Sequence, residues 1–416
     1  MFTGRFYWAA GIEDTFVPQG GPGKRPLDEY ELTQHDRKWR EDLDLCAGLG
    51  IDALRYGIPW YKVQPKPDFF EWGRVDEAIG YILEKGIEPI VDLLHYGTPL
   101  WMDRQFLNPS YPEWVSAYAR AFAERYAGRI RMFTPVNEPF IHAEFCGRTG
   151  RWPPEATGDR GFILLMKNIA KGAIRTVQAL REAIPDSVMV HVEATGWFVA
   201  EGAPVEASIK HEWHRRFLYF DLITGRVDSA HPLYSWLLEN GMEAEDLEWF
   251  RRHRVDVDIM GLNYYPDLSV FRMDGDGPRG IWGGTWALEE LLVRYHRRYG
   301  RPLWITDTST NGTDAERLRW LEASTDWVLR KRETLPIVGY TWWPLFDLVN
   351  WDYREGGGDV EAYLEPMGLW RLEKRPNGEL ERVRTPVADA YRRVIREDKR
   401  RGGASQPRGK RREEEG

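Results

Sequence analysis

The stretch VDEAIGYILEKGIEPIVDLLH, residues 75–95, contains one full instance of the unit that builds this chain. Residues 75–86 run amphipathically, with apolar side chains at three- and four-residue spacing, into Gly86, which can terminate a helix. PIVDLLH at 89–95 then reads as a short buried strand. The same order recurs upstream, where EDLDLCAGLG (41–50) leads into ALRYG (53–57). Six further strand-like runs follow the pattern: FYWAA (6–10), MFTPVNEP (132–139), VMVHVEAT (188–195), IMGLNYYP (259–266), PLWITDTS (302–309) and GYTWWPLFD (339–347). Eight strands alternating with helices predict a parallel (β/α)8 TIM barrel. The connections after strands 1, 4, 5 and 6 are longer and rich in Gly, Pro and Trp, and in this fold the loops after strands build the site.

The rest of the chain narrows the class of function. With no fixed-period repeat and no internal linker, residues 1–396 are expected to form one domain, and the charged, apolar-poor stretch 397–416 a disordered tail. The 416 residues carry 57 Lys and Arg against 65 Asp and Glu, a net charge of -8, which argues against a nucleic-acid partner. Cys46 and Cys146 make no disulfide framework, no 18-residue apolar run occurs, and the N-terminus lacks a signal-peptide pattern, so a cytoplasmic protein without a membrane partner is expected. Aromatic residues make up 13% of the chain, which suits either a heavily packed barrel or a pocket for ligands with apolar and hydroxylated faces.

Polar residues close each strand: Arg55 on strand 2, His95 on strand 3, Asn137 and Glu138 on strand 4, Glu193 on strand 5, Asn263, Tyr264 and Tyr265 on strand 6, Asp307 on strand 7, and Trp342 and Trp343 on strand 8. Two carboxylates on opposite strands are what glycosidic-bond cleavage requires, one protonating the departing oxygen and the other attacking the anomeric carbon or activating water. Glu138 and Asp307 fit those places. The acid must be kept neutral by a desolvating pocket or a neighbouring negative charge, while the nucleophile must stay ionised, for which Arg55 and the phenol of Tyr265 are candidates.

The segments LRYGIPW (54–60), DLLHYGTPLWM (92–102), TPVNEP (134–139), GLNYY (261–265), ITDTSTNG (305–312) and WPLFDLVNW (343–351) resemble, in order and spacing, the family 1 glycoside hydrolases over about residues 4–371. The resemblance implies a retaining β-glycosidase that needs no cofactor and acts on a small-molecule glycoside or oligosaccharide. It makes Glu138 the acid/base and Asn137 a ligand of the sugar 2-hydroxyl. Arg55, His95, Asn263 and Tyr265 become pocket residues, and Trp343 a stacking platform.

Three departures accompany it. The family's nucleophile motif Thr-Glu-Asn-Gly appears as ITDTSTNG, with the shorter Asp307 in the place of Glu. The Gln that reads sugar hydroxyls after strand 1 is missing, and Glu13 and Gln19 are the candidate replacements. The Glu-Trp pair after strand 8 appears as Asn350-Trp351, losing a carboxylate that reads the 4- and 6-hydroxyls. A shortened nucleophile leaves two alternatives open, an inverting hydrolase with Asp307 as base and a catalytically silent sugar-binding barrel.

Other motifs carry less. His211 and His214 have three-residue spacing rather than HExxH, so no metal site is expected there. GGPGK (20–24) reads as a turn, and Asp347 and Asp352 as loop scaffolding.

Overall fold

The computed structural model describes residues 5–18, 20–200, 205–274 and 277–404. Eight parallel strands close into a barrel: β1 (Tyr7–Ile12), β2 (Ala53–Gly57), β3 (Glu88–Asp92), β4 (Met132–Thr134), β5 (Val188–Ala194), β6 (Ile259–Asn263), β7 (Leu303–Thr308) and β8 (Ile337–Trp342). Neighbours in the ring are neighbours in sequence, and β1 closes it against β8, with Tyr7 opposite Gly339 and Ala10 opposite Trp342. A helix follows every strand: α1 (His35–Leu49), α2 (Gly73–Glu84), α3 (Tyr111–Tyr126), α4 (Gly158–Ala183), α5 (Glu206–Ile223), α6 (Gly284–Tyr299), α7 (Asp314–Lys331) and α8 (Pro386–Ala404). The predicted eight-unit barrel is the observed fold.

Two layers of apolar side chains hold it together. The larger lies between strands and helices; the smaller fills the barrel itself with Ala9, Ala53, Ile90, Met132, Val190, Ile259 and Trp304. Small residues on β1 and β2 leave room for the fully buried indole of Trp304, whose Nε1 donates to Thr341 Oγ1 at 2.9 Å. Gly339 is part of the fit, because a Cβ there would stand 2.2 Å from the Trp304 ring. Burying an indole of roughly 200 Å² is worth about 5 kcal/mol, so this plug is a main anchor of the ring.

Strand pairing stops earlier than the apolar runs suggest, and the chemistry-bearing residues lie just beyond the stop. β3 pairs only to Asp92, after which Leu93 N donates to Thr134 O and the chain turns toward His95. β4 ends at Thr134 because Pro135 has no N–H to continue a ladder. Cys146 lies in the helical turn Ala143–Arg148; it and Cys46 are buried free thiols.

The boundary of the tail is corrected as well. Residues 397–404 continue α8, because Asp398 accepts from Trp8 Nε1 at 2.9 Å and pairs with Arg332, tying that turn to the barrel wall. Residues 405–416 lie outside the described residues. A further long connection, 343–385, follows β8; it carries Asn350 and Trp351 and the paired strands Trp370–Lys374 and Leu380–Arg384. GGPGK forms the expected turn, with Lys24 N donating to Gly21 O. Among the described residues no helix is long and apolar enough to cross a membrane.

Candidate active site

The Asn-Glu pair after β4 is fixed by the strands on both sides. Asn137 N donates to Leu94 O at 2.9 Å beyond β3, and Glu138 N donates to Val192 O at 3.1 Å on β5. Glu138 has φ 41°, a left-handed conformation that is uncommon for a side chain of this size. It precedes the one-turn helix Pro139–His142, whose first residue is the proline that such a position favours. Glu193, at the end of β5, accepts from the Phe140 and Ala194 amides at 3.1 and 2.8 Å and so holds that turn from behind. It is a backbone anchor for the turn.

Arg55 is the hub of the site. Fully buried in the middle of β2, it donates through Nη1 to both oxygens of Asp307 at 2.8 Å, and through Nη2 to Asp92 at 2.7 Å and Asn137 Oδ1 at 2.6 Å. Asp92 also holds His95 by Nδ1 at 2.9 Å, and His95 Nε2 lies 3.3 Å from Asn137 Nδ2. Asp307 is opposite Asn263 in the β6–β7 register. Asn263 accepts from Thr306 Oγ1 at 2.7 Å and donates from Nδ2 to Glu138 Oε1 at 2.8 Å. Glu138 and Asp307 therefore belong to one buried network spanning the mouth of the barrel. Glu138 receives neutral donors, while Asp307 receives a cation.

Burial pushes Asp307 up to about 7, against the pull of Arg55 and with a further upward push from the charge of Glu138. His95 is moved the other way, burial outweighing its bond to Asp92, which favours the neutral imidazole. The expected phenolic bond to Asp307 is absent: the carboxylate is bonded by Arg55 alone among the described residues. Tyr265 instead stands edge-on to Trp343 at 6.1 Å between ring centres, with its phenol pushed far up by burial and then by the nearby charge of Asp307. Tyr264 points away and bonds Gly284 O. The indole Nε1 of Trp342 likewise donates elsewhere, to Met367 O.

The wall beside Trp343 is where the sequence departs from the family, and it is acidic. Glu13 accepts from Trp343 Nε1, and its Oε1 lies 3.3 Å from Arg55. Gly11 makes this possible, since a Cβ there would meet Trp343 at 2.5 Å and Glu13 at 2.7 Å. Burial pushes the Glu13 carboxyl well up despite Arg55. The other candidate replacement, Gln19, lies outside the described residues. Asn350 does not face the pocket alone: its Nδ2 donates to Glu365 at 3.0 Å, and Asn311 holds the other oxygen of that carboxylate at 2.6 Å. Trp351 packs against Trp152 and Tyr96.

Three neighbouring residues have no role in the sequence reading: Tyr96 lies inside the segment 92–102, and Glu29 and Glu365 lie outside every motif. Tyr96, at φ 73°, donates its hydroxyl to Glu138 Oε2. Glu365 supports Asn350. Glu29, in the short helix Glu29–Leu32, accepts from Val349 N at 3.2 Å, immediately before Asn350. Away from the site, His211 and His214 lie on α5, and no group of three His, Cys, Asp or Glu suited to a metal occurs among the described residues. Asp347 is scaffolding, accepting from the Gly368 and Leu372 amides, and Asp352 pairs with Arg151.

Residues 28–279 match the profile of glycosyl hydrolase family 1, well over half of the chain. The chain belongs to glycosyl hydrolase family 1. Beta-glucosidase A of Thermotoga maritima is 25% identical over 386 residues, covering 82% of each chain. Beta-glucosidase 47 of Arabidopsis thaliana is 31% identical over 427 residues, covering 86% of this chain and 74% of that protein. An aryl-phospho-beta-D-glucosidase of Bacillus subtilis is 24% identical, covering 75% and 76%. The barrel superposes on a family 1 β-glucosidase structure from Thermotoga maritima with a TM-score of 0.79 at 19% identity, covering 94% of this chain and 97% of that one. As a family 1 enzyme, this protein is a glycoside hydrolase acting on β-glycosides.

Proposed function

We propose that this family 1 enzyme works with retention, Glu138 serving as acid/base and Asp307 as nucleophile. The observation that carries the assignment is the unequal pairing of the two carboxylates: a buried guanidinium on Asp307, neutral donors on Glu138. In the first step Glu138 gives its proton to the glycosidic oxygen, the bond from that oxygen to the anomeric carbon breaks, and a carboxylate oxygen of Asp307 bonds to the carbon. In the second, Glu138 takes a proton from water as the water attacks the same carbon and Asp307 leaves with its electron pair. Two inversions return the starting configuration.

Arg55 keeps the anion of Asp307 available in a place where burial disfavours charge. Asn137, bonded to Arg55 and lying within reach of His95, is placed to read the sugar beside the anomeric carbon, and Trp343 to stack beneath its ring. Two carboxylates suffice for this chemistry, so no cofactor enters any step.

The test is covalent trapping. Incubation with a 2-deoxy-2-fluoro aryl β-glycoside should add one glycosyl unit, located by mass spectrometry on the peptide holding Asp307, and NMR should show the β-anomer of the sugar released first. A label on another residue, or release of the α-anomer, would overturn the assignment.

A further inference from the structure

Glu29 lines a small cavity together with Glu13, Thr15, Trp343 and Trp351. It is 6% exposed; one carboxyl oxygen takes the Val349 amide, and the other, Oε1, is buried without a hydrogen-bond partner. Glu13 Oε1, on the same wall, makes no hydrogen bond, though Arg55 stands 3.3 Å from it as an ion pair. The space is about 20 Å³, room for one hydroxyl-sized group and too little for a phosphoryl group. No Lys or Arg lines it among the described residues, and Arg55 is already committed to Asp307, Asp92 and Asn137.

Such a wall takes a hydroxyl and excludes anions. A sugar hydroxyl can donate to, or accept from, a buried carboxyl oxygen that has no hydrogen bond, whereas a phosphate monoester would bring between one and two negative charges into a buried wall lined by no cation among the described residues. Burial pushes Glu29 up to about 8, so that near neutral pH the carboxyl can also donate to a hydroxyl oxygen. Glu29 comes to this wall from the loop after β1, and its bond to Val349 N places it beside Asn350, where the family's carboxylate is missing.

We propose that Glu29, with Glu13, is the hydroxyl-reading element of the sugar pocket and restricts the enzyme to unphosphorylated sugars. This rests on the glycosidase assignment above and names its substrate class. The relative from Bacillus subtilis that is an aryl-phospho-beta-D-glucosidase makes the distinction a real one for this fold.

The experiment measures kcat/KM on 4-nitrophenyl β-D-glucoside and β-D-galactoside and on the 6-phosphates of both, for the wild type, Glu29→Gln and Glu13→Gln. The wild type should favour the better unphosphorylated glycoside over its phosphate by at least about a hundredfold. Glu29→Gln, which keeps an acceptor for the Val349 amide, should raise KM for that glycoside about tenfold, hold kcat within about threefold, and narrow the discrimination. Glu13→Gln should move KM the same way. Preference for a phosphorylated glycoside, or an unchanged KM and unchanged discrimination in both variants, would overturn the proposal. Calorimetry with glucose, galactose and their 6-phosphates reads the same ranking without turnover, so an absence of hydrolysis would count against the glycosidase assignment alone.

Discussion

The two sides of the sugar pocket differ in how they are held. On the catalytic side, Arg55, Asp92, His95, Asn137, Glu138, Asn263 and Asp307 hold one another through hydrogen bonds contributed by β2, β3, β4, β6 and β7, and each removal strands a buried partner. On the proposed reading side, Glu13, Glu29, Asn350 and Glu365 come from loops after β1 and β8 and are held by one or two side-chain contacts each, with only Glu13, beside Arg55, touching the interlocked set. Interlocked side chains resist replacement because a change at one position leaves several polar groups unsatisfied. Independently held ones can be exchanged, and a carboxylate lost at one position can be supplied from another loop.

The largest effect expected from breaking this contrast comes from the catalytic side. Glu138→Gln should lower kcat/KM by about a thousandfold on an alkyl β-glycoside and far less on a dinitrophenyl glycoside, whose leaving group needs no proton. Steady-state kinetics on the two substrates check it.

Asp307→Glu comes next. Both oxygens of the aspartate already sit 2.8 Å from Arg55, so one added methylene displaces the attacking atom by about 1 Å and should cost about a hundredfold in kcat/KM. A gain in rate would show instead that the pocket is still shaped for glutamate, and that the catalytic side is as exchangeable as the reading side.

The proton balance of Asp307 gives a third test. Its carboxyl is raised to about 7 and must be ionised to attack. The acid limb of a kcat/KM profile taken between pH 5 and 9 should therefore bend near pH 7 and fall about tenfold per pH unit below it. An acid limb near pH 4 would place the charge elsewhere in the network.

The smallest effect sits where the two sides meet. Tyr96→Phe removes one neutral donor from Glu138 while keeping the ring against Trp351 and His142. A loss of about five- to tenfold in kcat is expected, with KM nearly unchanged. A larger loss would move Tyr96 into the interlocked set.

What the sequence made legible follows the same division. β2 is found where ALRYG predicted it, residue for residue: all five positions are buried, four of them apolar, aromatic or small around the single charged side chain of Arg55. The candidate catalytic residues could be read because Asp307 lies near the C-terminal end of its strand and Glu138 shortly beyond the end of its own, and the barrel brings those ends together. Pairing stops at Asp92 and Thr134 could not be read from apolar runs, since they depend on the neighbouring strand and on Pro135.

Tyr96, Glu29 and Glu365 were illegible for a different reason. An unusual backbone angle aims Tyr96, while loop docking over long sequence separations brings Glu29 to Val349 and Glu365 to Asn350 and Asn311. The helical state of 397–404 was hidden by its charges; its order comes from one carboxylate meeting Trp8 and Arg332, far away in sequence.

The indole of Trp304, wedged under Gly339, seals the floor of the ring. On the proposed mechanism the released sugar then has no way out through the barrel and must leave on the side of the carboxylates, so accumulated product should slow the enzyme by competing with fresh substrate, which initial rates with added free sugar check.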